Sequence, residues 1–295
     1  MNIPIFYDAA QNATEALPSP SAAKPRHVVE SWSRLGLPLD VRSFKPVTAS
    51  DLSRVHSPQY VHDVLTLVEE NGFGTRSEDV ARSLLWTSGS FVAAAEHALA
   101  TGLVACSPTS GFHHAEYSSG GGYCTFNGLM VAADRLLSAG VRSVGILDCD
   151  AHYGNGTVDI LKRVRRFSGH VEHFTRSHPD YGLDAKRFLR SLEGLLGDWA
   201  EAGVGVVLYQ AGADPHVDDP LGGILTTKQM RERDRIVFST CARLELPIAW
   251  NLAGGYQERP AATFAERIRP VLELHDNTMR ECVSAFSPHN RAPGH

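Results

Sequence analysis

Asp148, Asp150 and His152 stand at alternate positions of Asp148-Cys149-Asp150-Ala151-His152, directly after the apolar stretch Val144-Gly145-Ile146-Leu147. Residues two apart on an extended chain point to the same side, so two carboxylates and an imidazole converge. That donor set suits a divalent metal of the zinc type. The same five residues also fit an ordinary strand end running into a solvated loop, and the run alone does not choose. The rest of the chain does.

Three further apolar runs close on residues of unusual chemistry. Leu103–Cys106 is followed by Gly111-Phe112-His113-His114 and then by Gly120-Gly121-Gly122-Tyr123. The run 204–210 leads into Ala211-Gly212-Ala213-Asp214, and the run 247–252 into Ala253-Gly254-Gly255-Tyr256. A lone histidine is ordinarily a satisfied polar side chain, and Gly-Gly-Tyr is ordinarily a turn. Open α/β sheets bind ligands at the carboxyl ends of their strands, however, and so many such ends together point to one site.

The chemistry these parts can perform is metal-assisted hydrolysis of a carbonyl compound. Asp150, His152 and Asp214 supply three ligands and leave a position open, as catalytic zinc sites do. Such a metal acidifies bound water and polarises the carbonyl oxygen. His114, or His113, takes the proton from the water and later delivers one to the leaving amine. Tyr256 donates a hydrogen bond to the developing oxyanion, and Asp148 orients His113 from behind.

The elements that must position these residues alternate along the chain. Strands are expected at 3–7, 103–106, 143–148, 170–174, 204–210 and 247–252, and helices at 80–100, 129–139, 184–202, 228–242 and 261–274. The strands are apolar throughout, as in a parallel sheet covered on both faces. This alternation implies one doubly wound α/β domain over residues 1–295. The stretch Pro18–Pro25 reads as a surface loop and residues 286–295 as a loose tail.

Composition bounds the function. Hydrophobic content of 43% and charged content of 21% are those of an ordinary globular protein. A net charge of −5 with no basic stripe argues against nucleic acid as a partner. The cluster Lys162-Arg163-Arg165-Arg166 reads as a solvated helix end. No run approaches the ~18 apolar residues of a membrane span, and Met1-Asn2-Ile3-Pro4 shows no signal-peptide pattern. The five cysteines, Cys106, Cys124, Cys149, Cys241 and Cys282, are scattered in apolar segments. Buried free thiols and a cytoplasmic location are the expectation.

The stretches 111–115, 121–127 and 148–157 resemble the histone deacetylase family, as do Gln210-Ala211-Gly212-Ala213-Asp214, Gly254-Gly255-Tyr256 and Val55-His56-Ser57-Pro58-Gln59-Tyr60-Val61. The similarity takes in bacterial acetoin-utilisation and acetylpolyamine-deacetylase relatives and runs from about Val55 to Pro260. It implies the three-layer arginase/deacetylase fold, a central mostly parallel sheet with helices on both faces. It also implies a zinc-dependent amide hydrolase with a narrow tunnel for an acyl-amine chain. By position, Asp150, His152 and Asp214 match the ligands of one Zn2+ (or Fe2+), His113 and His114 the paired histidines, and Tyr256 the transition-state tyrosine. Tyr123 matches a tunnel wall, Gly122 a backbone contact to the bound chain, and Asp148 the carboxylate behind His113. Phe112 belongs to the same substrate-side set. A structural K+ around Asp148, Asp150 and His152 is a further family feature.

The departures narrow the reading. Pro108-Thr109-Ser110 precedes Gly111-Phe112 where the family has Arg-Pro-Pro-Gly, and Phe112 with Ala253-Gly254-Gly255-Tyr256-Gln257 is closer to the class IV branch. Asn155 stands where class I enzymes carry an aspartate behind the second histidine, so His114 should serve more readily as a neutral base. Tyr153 replaces a further histidine and is expected to be structural. Two-metal arginase-like relatives need D-x-H-x-D and D-x-D. This chain has Gly154 and His216 at the last of those positions, so a second metal would lack ligands.

The expected substrate is an acylated lysine of a protein or peptide, with acetylpolyamine or another acylated small amine as the alternative. A catalytically silent binding protein is the remote third reading. Lys24 lies either near an inner cavity or in solvent. Asp218 and Asp219 form either a cation-binding rim or a turn beside Pro220.

Overall fold

Seven segments form strands: β1 Ile3–Phe6, β2 Leu39–Arg42, β3 Val104–Ser107, β4 Val144–Asp148, β5 Val171–Phe174, β6 Val206–Gly212 and β7 Ile248–Ala253. Their order in the sheet is β2-β1-β3-β7-β6-β4-β5, with every pairing parallel. These coordinates are a computed structural model that describes residues 2–13, 17, 19–176 and 185–287.

Side-chain alternation feeds two cores. Val207, Tyr209 and Ala211 of β6 join Trp32, Phe238 and Trp250 on one face. Val206 and Leu208 join Phe91, Leu129 and Ile146 on the other. The first face is covered by helices Lys24–Arg34, Ala185–Glu201, Thr227–Arg243 and Arg269–Phe286, and the second by Pro58–Leu65, Glu78–Thr101 and Gly128–Ser138. Continuous apolarity of β4, β6 and β7 is what a strand buried on both faces requires, and every residue of those strands is buried. This is the expected three-layer α/β architecture.

Where the structure departs from the sequence reading, the reason is local. β2 has the mixed sequence Leu39-Asp40-Val41-Arg42 and lies at the sheet edge, half exposed, so it carries no apolar signal. Pro18–Pro25 is not a surface loop. Ser19 caps a 3-10 turn at Pro20–Ala22, a helix starts at Lys24, and Pro20, Ser21, Lys24 and Pro25 are buried (Pro18 lies outside the described residues). Pro25 sits in the first helical turn, where its missing N–H costs nothing. Val28, Val29 and Trp32 supply the buried stripe.

The segment expected as one helix over 261–274 divides at Ile268, and the second part runs on to Phe286. Phe286, expected in the tail, is therefore helical and buried, while residues 288–295 lie outside the described set, as does Asp184. All five cysteines are free and buried. Among the described residues no helix is long and apolar enough to cross a membrane.

Candidate active site

The four strands that carry the unusual residues, β3, β7, β6 and β4, are neighbours at the centre of the sheet. β4 ends at Asp148, so Asp150 and His152 lie in the turn beyond it, and hydrogen bonds rather than the pleat bring them together. Asp150 N donates to Asp148 Oδ1 at 3.2 Å, His152 N to Asp150 Oδ1 at 3.0 Å, and Ala151 N to Asp214 Oδ1 at 3.1 Å. His152 Nδ1 then lies 2.8 Å from Asp214 Oδ2 and 3.1 Å from Asp150 Oδ1. Its other nitrogen, Nε2, donates to the Leu221 carbonyl at 2.9 Å, while the two carboxylates against Nδ1 raise the imidazole to about 11, so Nδ1 would offer a lone pair only to a cation that takes the place of that proton.

One ligand atom from each of Asp150, His152 and Asp214 lies within 4.8 Å of the others. Both carboxylates are buried. Burial, and then the charge of Asp150, push Asp214 above the ordinary carboxylate range. Two oxygens and an imidazole nitrogen around a site of this size fit a zinc-type ion, and its charge would relieve the repulsion.

The histidine pair stands beside this group, with ring centroids 4.0 Å apart. His113 Nδ1 donates to Asp148 Oδ2 at 2.7 Å, and its Nε2 is 3.5 Å from Asp150 Oδ1. Burial pulls His113 down, but Asp148 and Asp150 outweigh it and hold it at about 9. His114 Nδ1 donates to Asn155 Oδ1 at 2.6 Å. Burial, and then the charge on His113, lower His114. Two adjacent imidazoles are thus pushed apart in basicity, one raised by the carboxylate behind it and the other lowered by burial beside that charged ring.

Tyr256 is placed by two glycines and a carboxylate. Gly254 and Gly255 have φ of 51° and 87°, in the left-handed region, and a Cβ on Gly254 would lie 2.4 Å from Asp214 Cγ. Tyr256 N donates to Asp219 Oδ2 at 2.8 Å. Burial raises the Tyr256 phenol well above its ordinary range, with Asp150 and Asp214 adding to the rise. Its ring is 5.6 Å from that of Tyr123, which in turn is 5.8 Å from Phe73. Gly122 packs against the His114 imidazole, close enough that a Cβ would meet it.

Phe112 does not belong with these side chains. It is buried against Phe91, at a centroid distance of 5.6 Å, and faces Gly128. What it offers the site is its backbone N–H, given to Gln210 Oε1 at 2.9 Å. Tyr153, expected to be structural, is 47% exposed.

Other residues at the site were left open between two readings by the sequence, or were not marked by it at all. Lys24 is 0% exposed and donates to the Gly254 carbonyl, which settles its position as interior. Burial lowers it to about 8 against the opposing pull of Asp214, Asp150 and Asp219. Gln210 Nε2 donates to Asp148 Oδ1 at 3.0 Å and so joins β6 to the carboxylate behind His113. Asp219 is the residue that holds Tyr256, and of the pair only Asp218 is out in solvent. Arg233 Nη1 donates to the carbonyls of Cys149 at 3.1 Å and Gly212 at 2.7 Å, tying together the backbone before Asp150 and before Asp214. Gln210, four residues before Asp214, was within reach of the motif; nothing in the sequence marked Arg233, 84 residues from Cys149.

Comparison with known proteins gives the family. A model described as the histone deacetylase domain matches residues 20–183. An uncharacterised protein of Picosynechococcus sp. is 34% identical over 225 residues, 70% of this chain and 75% of that protein. The acetylpolyamine amidohydrolase of Mycoplana ramosa is 47% identical over 73 residues, 25% of this chain but only 20% of its own length. The crystal structure of the HDA15 HD domain superposes with a TM-score of 0.76 at 18% identity, covering 97% of this chain and 91% of that one, a likeness of fold. The chain belongs to the histone deacetylase family, hydrolases that act on amides.

Proposed function

We propose that this chain removes acyl groups from acylated lysine side chains by metal-dependent hydrolysis. The observation that carries the reading is the convergence of Asp150, His152 and Asp214 with the His113–His114 pair at the ends of the central strands, within electrostatic reach of Tyr256. Asp150, His152 and Asp214 would hold one Zn2+ or Fe2+, and the bound ion would acidify water and polarise the substrate carbonyl.

The remaining work falls to side chains of the protein. His114, backed by a neutral amide, accepts the proton of the attacking water at Nε2. His113, whose imidazolium is stabilised by Asp148, delivers a proton to the departing amine. Tyr256 donates to the carbonyl oxygen as negative charge develops there. Tyr123 forms a wall for the acyl-amine chain, and Gly122 offers its backbone. A K+ held by oxygens around Asp148, Asp150 and His152 belongs to the same reading, as do one domain over residues 1–295 and a reducing, cytoplasmic setting suited to five free thiols.

One observation favours a second substrate. The 47% identity to an acetylpolyamine amidohydrolase is local but strong, and supports a small acylated amine. Amine release by zinc-loaded protein, with and without chelator, from an acetyl-lysine peptide, a long-chain acyl-lysine peptide and an acetylpolyamine tests both. Preference for either peptide supports the proposal, release from the polyamine alone transfers the assignment to small-molecule hydrolysis, and silence on all three overturns both.

A further inference from the structure

The Asn155 side chain stands between His114 and a carboxylate. His114 Nδ1 is 2.6 Å from Asn155 Oδ1, and Asn155 Nδ2 donates to Glu116 Oε1 at 2.9 Å. Ser119 Oγ donates to the other carboxylate oxygen at 3.2 Å. The backbone of Glu116 is held as well. Its N–H donates to the Ser119 carbonyl at 2.9 Å, and its carbonyl accepts from His56 Nδ1 at 2.8 Å. His56 is fixed in turn, because its Nε2 accepts the Asn127 N–H at 2.9 Å.

A primary amide can be turned half a revolution, which exchanges its donor and acceptor ends. An ionised carboxylate only accepts, so the Asn155 amide must point its NH2 at Glu116. Its carbonyl oxygen then faces His114, and a carbonyl oxygen also only accepts. The nitrogen opposite it, Nδ1, must therefore carry the imidazole proton. Nε2 is left with its lone pair on the side away from Asn155. We propose that Glu116 is a positioning residue: through the orientation of Asn155 it fixes His114 in the tautomer whose Nε2 is free to take a proton.

Asp148 does the same for His113 directly, at 2.7 Å, and brings a negative charge with it. The intervening amide at His114 transmits direction while keeping the charge one side chain further off. That arrangement supplies an oriented imidazole without making it strongly basic, in line with the lowered basicity of His114. The role of the free Nε2 rests on the reaction proposed above, whereas the tautomer itself does not.

Nitrogen-15 NMR of histidine-labelled, zinc-loaded protein reads the tautomer without any substrate, His114 being assigned by difference against His114→Ala. The expected wild-type signal is a single Nδ1–H form. Glu116→Gln, whose amide both donates and accepts, should add an Nε2–H population. It should also lower kcat about ten-fold with KM and zinc content unchanged, the scale of losing an outer partner of a site histidine. Asn155→Asp in the Glu116→Gln background places an acceptor directly against Nδ1 and should restore the single form. Glu116→Ala gives the same test if the glutamine variant folds poorly. A pure Nδ1–H form in the variants at residue 116 overturns the proposal. A tautomer shift in a protein inactive on every acylamine would uphold it and count against the reaction instead.

Discussion

Replacing Gly254 by alanine probes the link between the Tyr256 turn and the metal-ligand group. Its φ of 51° costs an L residue about 1–2 kcal/mol. The added Cβ would fall 2.4 Å from Asp214 Cγ, against a practical lower limit of 3.0 Å, so the carboxylate must retreat by at least the difference, 3.0 − 2.4 = 0.6 Å. Metal–ligand distances tolerate only about 0.2 Å. Asp214 is also buried and anchored by Ala151 N at 3.1 Å, so it has little freedom to compensate. Zinc affinity should fall at least ~10-fold, measured by chelator competition, with metal-free stability followed separately by urea unfolding. Gly255→Ala is the contrast: its Cβ would meet Val271 Cγ1 at 2.7 Å in the core, so stability should drop with far less effect on zinc. Wild-type zinc affinity in Gly254→Ala, or an equal loss in both variants, would refute the reasoning.

Tyr256→Phe should cut kcat by about 10²–10³ with unchanged zinc content, as expected for one oxyanion donor; steady-state kinetics beside metal analysis decides, and full activity removes the assigned role. For Lys24, the folded value of about 8 lies below the ordinary 10.5, so between those limits the unfolded chain binds more protons and stability rises with pH. At ~1.36 kcal/mol per pH unit between about 8 and 10.5, that rise is on the order of 3 kcal/mol. Urea midpoints of wild type and Lys24→Met at pH 7.5 and pH 10 should show it in the wild type alone, and equal slopes would contradict the buried-lysine account. Arg233→Met removes the ion pair of buried Asp234, leaving it the Tyr209 and Thr278 hydroxyls alone, and should destabilise by about 3 kcal/mol in chemical denaturation, where a loss under 1 kcal/mol would speak against the brace.

The sheet was legible because its central strands are buried on both faces and so are apolar without interruption; β2, half exposed at the edge and mixed in sequence, had no such signature. Asp150, His152, Asp214 and the histidine pair could be found because ligand and acid–base residues need particular chemical types at strand ends. Their convergence owes more to backbone N–H groups in the turn after Asp148 than to strand alternation. Phe112 misled because a motif gives a residue's place in the chain and not the direction of its ring. Lys24, Glu116, Asp219 and Arg233 each act through a contact with a residue 37 to 230 positions away. No periodicity or spacing marks such residues. Lys24 looked like a loop residue because two prolines flank it, and its burial follows only from the helix that Pro25 helps to start.

Under the proposed function, the Asp150–His152–Asp214 group drives amide hydrolysis once it holds a metal. The direct test is amine release from an acetyl-lysine peptide by wild type and Asp214→Ala, each stripped of metal and then titrated with zinc. Wild-type activity should rise with zinc to one ion per chain, and the variant should show neither zinc uptake at that site nor activity. Release that is independent of zinc, or preserved in Asp214→Ala, would contradict it.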